Sequence, residues 1–305
     1  MSEDRSTREQ SHDHSALPQG RDILFLILGV IGIGSSGPLI AKSTMAIPAL
    51  IFWRNIGGSL LISPFALRQA QWRSLEARRS MRFAAMAGIA LAFHFIFFFA
   101  AMRFTSVATG TALAALQPIF TAIYFRLRGD HIRKQAIFGM LVAFASVVAI
   151  TGIDLSLSRR YFLGDIFAII SAMLAAFYVL MGSRAQRQLV TSTYTTICYF
   201  ACAVVAFPMI FITHSPFTHY RAKEWLWVGL LILGAQLLGH TMFNLSLKRL
   251  SPVVVSLVVF FEVPAAALFA FIWLHQHPSH GIIPGIIGLL VGCTIFAIGG
   301  KSQSS

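Results

Sequence analysis

The chain contains ten apolar runs, each about twenty residues long and nearly free of charged side chains. A helix of this length crosses the hydrocarbon core of a bilayer and satisfies its own backbone hydrogen bonds there. The sequence therefore predicts an all-α membrane protein with ten transmembrane helices, numbered here as spans 1 to 10. The spans are predicted at residues 23–41, 46–67, 83–102, 105–126, 134–153, 162–182, 192–213, 224–246, 251–274 and 281–300.

The composition excludes a soluble enzyme and a disordered chain. Hydrophobic residues make up 56% of the 305 residues and charged residues only 11%, against roughly 25% charged residues in an average soluble domain. The net charge of +13 does not indicate nucleic-acid binding, because the basic residues lie in short loops between the apolar runs. We expect membrane lipids and a small-molecule substrate as partners, and no nucleic acid.

The distribution of Lys and Arg predicts the orientation. Seventeen of these residues lie in the N-terminal tail, the loops after spans 2, 4, 6 and 8, and the C-terminal tail, whereas six lie in the other loops. Arg54 lies inside span 2. Because cytoplasmic loops carry the excess of positive charge, both termini are predicted to be cytoplasmic, in a plasma (inner) membrane protein.

The second half of the chain repeats the first. Spans 3–5 match spans 8–10 without gaps at a constant offset of 146, and the start of span 1 matches the start of span 6 at an offset of 143. Five spans is an odd number, so the second unit is predicted to be inverted relative to the first, as in secondary transporters. The alternative is that membrane helices match by composition alone. The matching pairs are His94 with His240, Arg103 with Arg249, Thr105 with Ser251, Pro118 with Pro264, Gly139 with Gly285, and Arg21-Asp22-Ile23 with Gly164-Asp165-Ile166.

The predicted organisation follows from this repeat. It comprises a disordered cytoplasmic tail (1–21), a first five-helix unit (22–153), a linker (154–161), a second five-helix unit (162–300) and a C-terminal tail (301–305). Two complete halves lie within one chain, so we expect a functional monomer.

Several segments carry a resemblance to a known family. They are Ala101-Met102-Arg103-Phe104-Thr105-Ser106, Gln117-Pro118, Gly129-Asp130 and Gly139, and then Leu247-Lys248-Arg249-Leu250-Ser251-Pro252, Glu262-Val263-Pro264 and Gly285. These segments resemble the repeat unit of the drug/metabolite transporter superfamily, and Arg54 is similar to an arginine that the family often carries in its second span. The resemblance covers about residues 22–300 as two EamA-type units. It implies a ten-span exporter similar to the YddG-type aromatic amino-acid exporters.

Polar side chains inside the spans are the candidate substrate-binding residues, because a charged group at the centre of a bilayer costs about 2.5–3.5 kcal/mol on insertion scales. Gln236, His240 and Asn244 are four residues apart and share one helix face, which either lines a cavity or forms interhelical hydrogen bonds. His94 is the repeat mate of His240, and the two are predicted to lie on either side of one central cavity. The alternative is that they are satisfied core histidines.

Glu262 is predicted to bind a substrate ammonium group, to carry a coupling proton, or to form an ion pair with Arg54. Gln117 lies beside Pro118 at nearly the equivalent position of the first unit. Phe98 and Tyr178 are expected to form part of an apolar pocket floor, with packing in the core as the alternative.

A second group of residues is predicted to permit movement. Gly34, Gly37 and Pro38 interrupt span 1, and small or helix-breaking residues allow helices to approach closely or to bend. Pro118 and Pro264 each free a backbone carbonyl and are predicted to kink their spans, although passive bends remain the alternative. Arg54 completes this group.

The function predicted from the sequence is secondary transport: the export of small amphipathic metabolites, most of all amino acids, by alternating access around a midplane cavity. No P-loop is present, so no ATP hydrolysis is expected. A multidrug or quaternary-cation exporter is the alternative within the same superfamily, and an intramembrane enzyme is a remote one. The three cysteines lie inside apolar runs and are predicted to be buried, and no cofactor or metal site is expected.

Overall fold

The computed structural model describes residues 20–69, 74–129, 133–246, 258 and 260–299. Both tails and most of the first half of predicted span 9 lie outside these residues. Every regular element in the described ranges is a helix, which confirms the all-α class. The helices are α1 (Gly20–Gly34), α2 (Ser36–Lys42), α3 (Ile47–Leu67), α4 (Leu75–Phe104), α5 (Val107–Ala114), α6 (Gln117–Leu127), α7 (Lys134–Leu157), α8 (Arg159–Ala185), α9 (Thr191–Ile212), α10 (Ala222–Leu230), a π-helical segment (Leu231–Thr241), α11 (Met242–Ser246), α12 (Glu262–Leu274) and α13 (Ile282–Gly299).

Seven helical segments in the described ranges are long and apolar enough to cross a membrane, and they correspond to predicted spans 1 to 7. Two shorter apolar helices, α12 and α13, correspond to spans 9 and 10. Several boundaries differ from the predicted ones. In particular, α4 extends over 30 residues, because it continues into a polar turn that Ser74 caps by accepting a hydrogen bond from the backbone N–H of Ala77.

Three of the predicted spans are not uniform α-helices. Span 1 is divided at Ser35, between α1 and α2, although the backbone N–H of Ser35 still donates to the carbonyl of Ile31. Span 4 breaks between α5 and α6, where Pro118 in the first turn of α6 has no N–H to continue the ladder. Span 8 winds as a π-helix over Leu231–Thr241 and so differs from the regular α-helix on which the predicted Gln236–His240–Asn244 face was based.

The helices pack as a single bundle in which the two halves interleave. α4 lies along α8 and α9, α3 lies along α9, α7 lies along α13, and α1 lies along the π-helical segment. The predicted linker 154–161 consists mainly of the ends of α7 and α8, so Ser158 alone lies between these helices. Large apolar side chains cover the outside of the bundle, as on α7, where Phe138, Leu141 and Phe144 are more than half exposed.

Glycines allow the closest helix contacts. A Cβ on Gly32 of α1 would lie 2.6 Å from the backbone N of Gly239 and 2.7 Å from the carbonyl O of Gly234, both in the π-helical segment. On α7, a Cβ on Gly139 would collide with the backbone N of Phe296 in α13. Because hydrocarbon offers no hydrophobic drive for helix association, this close van der Waals contact is a main source of stability.

We expect Gly139→Ala to destabilise the protein by about 1–3 kcal/mol, because backbone atoms of α13 leave no room for a methyl group. Gly152→Ala on the same helix is the matched control, since its Cβ would meet no atom within 4 Å. The midpoint of thermal unfolding in detergent checks both variants. A decrease of equal size in the two variants would contradict the packing described for α7 and α13.

Candidate central cavity

A cavity of about 320 Å³ lies inside the bundle, between helices of the two halves. This volume is within the range of roughly 300–1,000 Å³ that small-molecule sites occupy. Six of the eight predicted substrate-binding residues line it: His94, Phe98, Gln117, Tyr178, His240 and Glu262. Arg54 and Pro118, which were predicted as gating residues, also line the cavity.

Arg54 is the charged centre of the cavity wall. Its side chain is 1% exposed, and its guanidinium carbon lies 4.4 Å from the ring centroid of Phe95 and 5.8 Å from that of Phe99. Its one hydrogen bond to a described residue runs from Nε to Oε1 of Gln236, at 3.3 Å. The predicted alternative of an Arg54–Glu262 ion pair is not formed in the described structure, so the guanidinium has no anionic partner among the residues described.

His94 and His240 both line the cavity. Nδ1 of His94 donates to the carbonyl of Ser171 on α8 at 2.9 Å, because a carbonyl only accepts. This bond leaves Nε2 as the acceptor of a neutral ring. The imidazole also stacks on Phe98, with centroids 5.6 Å apart and an interplanar angle of 16°.

The acidic group and the apolar wall complete the cavity. Glu262 is the first residue of α12, and it forms neither a hydrogen bond nor an ion pair with a described residue. The side chains of Phe95, Phe98 and Phe260 are buried around the same space, and Tyr178 is half-buried there. The cavity therefore combines a cation, an acid, two imidazoles and aromatic surface.

Two predicted substrate-binding residues are placed differently. Gln236 is 1% exposed and lies behind Arg54, where a Cβ on Gly58 would collide with its amide, so it positions the guanidinium. Gln236 is thus separated from the cavity by the Arg54 side chain, whereas His240, four residues further on, lines the cavity directly. The side chain of Asn244 lies outside the described residues.

The remaining predicted gating residues lie at helix contacts. Gly34 meets Ala265, next to Pro264 in α12, and a Cβ there would be 2.7 Å from the methyl carbon of Ala265. Gly37 meets Val107 and Met102, where the nearest atom would be 3.0 Å away, and Pro38 is buried in α2. These positions bring span 1 against both α12 and α5.

One face of the bundle is held closed by hydrogen bonds between the two halves. We call it the distal face; it contains loops 43–46, 105–106, 158, 213–221 and 275–281. Glu224, at the start of α10, accepts hydrogen bonds from the Ser43 hydroxyl at 2.6 Å and from the Thr44 and Met45 amides at 2.9 and 3.2 Å. The Thr44 hydroxyl donates to its other oxygen at 3.0 Å.

Further contacts join the halves at the distal face. Lys42 donates to the carbonyl of Trp273 at 3.2 Å, and the backbone N–H of Val107 donates to the side-chain oxygen of Gln276 at 3.3 Å. None of the cavity-lining residues belongs to the distal-face loops. Gln186, in the loop after α8 at the opposite face, does line the cavity. The cavity therefore extends away from the closed face.

Sequence reasoning missed Glu224, because an acid at the predicted start of a span is an ordinary boundary residue. The only available signal was its isolation, since it is the one acid between Asp165 and Glu262. The predicted burial of Cys198, Cys202 and Cys293 is confirmed. In the part of the chain that the structure describes, no group of three or more His, Cys, Asp or Glu side chains is placed to hold a metal ion.

Comparison with known proteins gives a consistent result. The sequence profile described as the EamA-like transporter family matches residues 21–152 and 162–298. A WAT1-related protein of Arabidopsis thaliana is 22% identical, over 94% of this chain and 89% of its own length. The pseudopaline exporter CntI of Pseudomonas aeruginosa is 24% identical, over 89% of this chain and 94% of its own length. A solved crystal structure that is 19% identical superposes with a TM-score of 0.61, covering 92% of this chain and 99% of its own, which supports the fold.

We expect Glu224→Ala to loosen the distal face, because it removes the acceptor of four hydrogen bonds to residues 43–45. Hydrogen bonds to a charged group contribute about 1.5–3 kcal/mol each, so amide exchange at Thr44 and Met45 should accelerate roughly tenfold or more. Hydrogen–deuterium exchange mass spectrometry of the peptide that contains residues 43–46 measures this rate. Glu76→Ala, an exposed acid in the first turn of α4, is the control; equal rates in the two variants would argue against the closure described.

Proposed function

Because the chain belongs to the EamA-like transporter family, it is a membrane transporter and not an enzyme, and we propose that it exports small amphipathic metabolites that carry a carboxylate. Amino acids are the first class to test, with aromatic and neutral ones foremost. The observation that carries this proposal is the Arg54 guanidinium, which lines the cavity without an anionic partner among the described residues.

A buried cation is costly unless an anion or several hydrogen-bond acceptors compensate it. In the described structure Arg54 has one amide oxygen and two aromatic rings around it. A guanidinium presents a planar fork of N–H donors that matches a carboxylate in a bidentate arrangement. The carboxylate of a substrate is therefore the partner that this wall of the cavity lacks.

The other groups of the cavity match the rest of an amino acid. Glu262 has no described ion-pair partner, and a substrate ammonium group would supply one. The free Nε2 of His94 accepts a hydrogen bond from the same group or from a substrate hydroxyl. Phe95, Phe98, Tyr178 and Phe260 offer apolar surface to the side chain.

The inverted arrangement of the two halves is part of the proposal, and helix contacts support it. Gly139 on α7 meets Phe296 on α13, and Gly285 on α13 meets Ile150 on α7. The repeat offset of 146 relates Gly139 to Gly285 and Ile150 to Phe296. The second contact is therefore the repeat equivalent of the first, as expected for helices related by a two-fold axis. In the same way, α4 packs along α8, and the equivalent π-helical segment packs along α1.

Transport would proceed by alternating access around this cavity. The distal face is closed by the hydrogen bonds of Glu224, Lys42 and Gln276, and the cavity extends toward the face that contains Gln186. The excess of Lys and Arg in the loops of this second face favours its location in the cytoplasm. A plasma-membrane monomer in this state receives substrate from the cytoplasm, and its relative CntI is likewise named as an exporter.

A cation exporter is the second candidate, since Glu262 lines the cavity without an ion-pair partner among the described residues and aromatic rings line the same space. Arg54 opposes this candidate, because it lines the same small cavity and repels a cationic substrate. The substrate panel described next separates the two.

We expect Arg54→Gln to weaken transport of phenylalanine, raising the half-saturating concentration by about tenfold or more, because a hydrogen-bonded charge partner contributes about 1.5–3 kcal/mol. Phenylethylamine lacks the carboxylate and is a cation, so its flux should not fall and should rise when the repelling guanidinium is removed. Arg54→Lys should retain part of the affinity for phenylalanine. Counterflow of labelled compounds in proteoliposomes provides the measurement.

Arg68→Gln, an exposed change beyond the end of α3, is the matched control. Flux of cationic dyes and phenylethylamine without flux of any amino acid in the wild type would favour the cation exporter instead. Background flux for the whole panel would show that the proposed substrate class is wrong.

We expect His94→Ala and His240→Ala each to abolish most saturable flux, because both rings line the cavity. The two variants should differ in stability: His94 joins α4 to α8 through Ser171, whereas His240 forms no hydrogen bond with a described residue. Thermal unfolding should therefore shift downward in His94→Ala alone. His219→Ala in an exposed loop is the control, and unchanged flux in both cavity variants would reduce the histidines to packing residues.

A further inference from the structure

Two aspartates meet where the first half of the chain continues into the second. Asp154 lies in the last turn of α7 and Asp165 in the second turn of α8. Ser158 is the single residue at which α7 ends and α8 begins. Their side chains are 2% and 0% exposed, and their carboxyl groups lie within hydrogen-bonding reach of one another. This pair lies near the distal face and does not line the central cavity.

Asp165 has no donor to satisfy it. Neither of its carboxyl oxygens accepts a hydrogen bond from a group in the described ranges, although both are fully buried. The Thr105 hydroxyl lies beside the pair and donates to Oδ2 of Asp154 at 3.4 Å. A hydroxyl has one hydrogen to donate, so Thr105 cannot satisfy both carboxyl groups.

The cations near the pair are engaged elsewhere. Arg160 donates to the carbonyl of Arg103 at 2.8 Å, and Arg103 donates to the carbonyl of Met45 at 2.6 Å and faces Glu224 and Tyr220. The other charged or titratable groups at this end of α7 and α8 are exposed side chains: Arg159 and Tyr161 in the first turn of α8, and His280 beside the end of α7. The helices α5 and α13 contain no charged residue.

We propose that Asp154 and Asp165 form a proton-binding site in which the two carboxyl groups share one proton. Two carboxylates in contact cannot both be ionised in a buried setting without compensating charge. A proton on one of them makes it a donor to the other, which satisfies the pair without any further group. Proton release leaves two negative charges in contact and forces the groups apart.

The position of the site links its proton to closure of the distal face. Thr105 contacts the pair directly, and the turn that contains it is pressed against α8, where a Cβ on Gly164 would lie 2.6 Å from the Thr105 backbone N. Arg103 and Phe104, which precede Thr105, are the last residues of α4. The Arg103 guanidinium donates to the carbonyl of Met45 and so binds loop 43–46 to the end of α4. Separation of the carboxyl groups therefore loosens the turn through which α4 and loop 43–46 are joined.

The first experiment detects the proton itself. Infrared difference spectra of the purified full-length protein in detergent are recorded between about pH 5 and pH 9, where an exposed aspartate with a pKa of about 3.9 is ionised. We expect the wild type to show the C=O stretch of a protonated carboxyl group that titrates in this range. The band should disappear in both Asp154→Asn and Asp165→Asn and persist in Glu262→Gln and in the exposed control Glu76→Gln.

The second experiment reports closure. Met45 is fully buried under the distal face, so Met45→Cys in a background with Cys198, Cys202 and Cys293 replaced by Ala provides a reporter for a membrane-impermeant maleimide. Because maleimide reacts with the thiolate, each labelling rate is divided by that of a free cysteine peptide at the same pH. We expect this normalised labelling to accelerate at least about tenfold, or about 1.4 kcal/mol, as pH rises through the titration of the band, because residue 45 becomes accessible when the face opens. Asp165→Asn retains a donor toward Asp154 and should label slowly at every pH.

Each other outcome overturns the proposal. Absence of a titrating band, or its persistence in either asparagine variant, would show that the pair shares no proton. A band whose titration shifts with Na⁺ or Ca²⁺ concentration would show that the pair binds a metal cation instead. Labelling that does not depend on pH would remove the link to closure, and none of these readouts uses a transported substrate, so they fail or succeed independently of the proposed function.

Discussion

The cavity depends on how the bundle accommodates one buried guanidinium. Arg54 is held by the Gln236 amide from behind and by the faces of Phe95 and Phe99 from the side, and these contacts orient it without neutralising it. An ion pair between Arg54 and an acid would neutralise the guanidinium, and the cavity would then have no free cation to bind a substrate carboxylate. Glu262 lines the same cavity without an ion-pair partner among the described residues, so the bundle holds the two opposite charges apart.

Much of this site was accessible from the sequence, because a polar residue in an apolar span stands out. His94, His240, Gln117 and Glu262 were selected this way, and all four line the cavity. Gln236 lies behind Arg54 and does not line the cavity itself. A polar stripe in the sequence does not distinguish a side chain that would contact substrate from one that orients a neighbouring side chain.

The acidic groups at and near the distal face were harder to predict. Glu224, Asp154 and Asp165 lie close to helix ends, where charged residues are common and carry little weight in a reading based on span centres. Their significance arises from long-range contacts, such as Glu224 with loop 43–46, which are about 180 residues apart in the chain. The match of Asp165 to the start of span 1 was visible at the offset of 143, but it gave no reason to expect Asp154 as its neighbour.

The length of α4 has a consequence for the surrounding lipid. Thirty residues at 1.5 Å each give a helix about 45 Å long, which exceeds the roughly 30 Å thickness of the hydrocarbon core. At its Phe104 end the chain turns immediately into α5, so the surplus length lies at the Leu75 end. The exposed side chains of Arg78, Arg79 and Arg82 are there, at the level of the phosphate groups, and anionic headgroups should therefore anchor this helix and set the depth of the whole bundle.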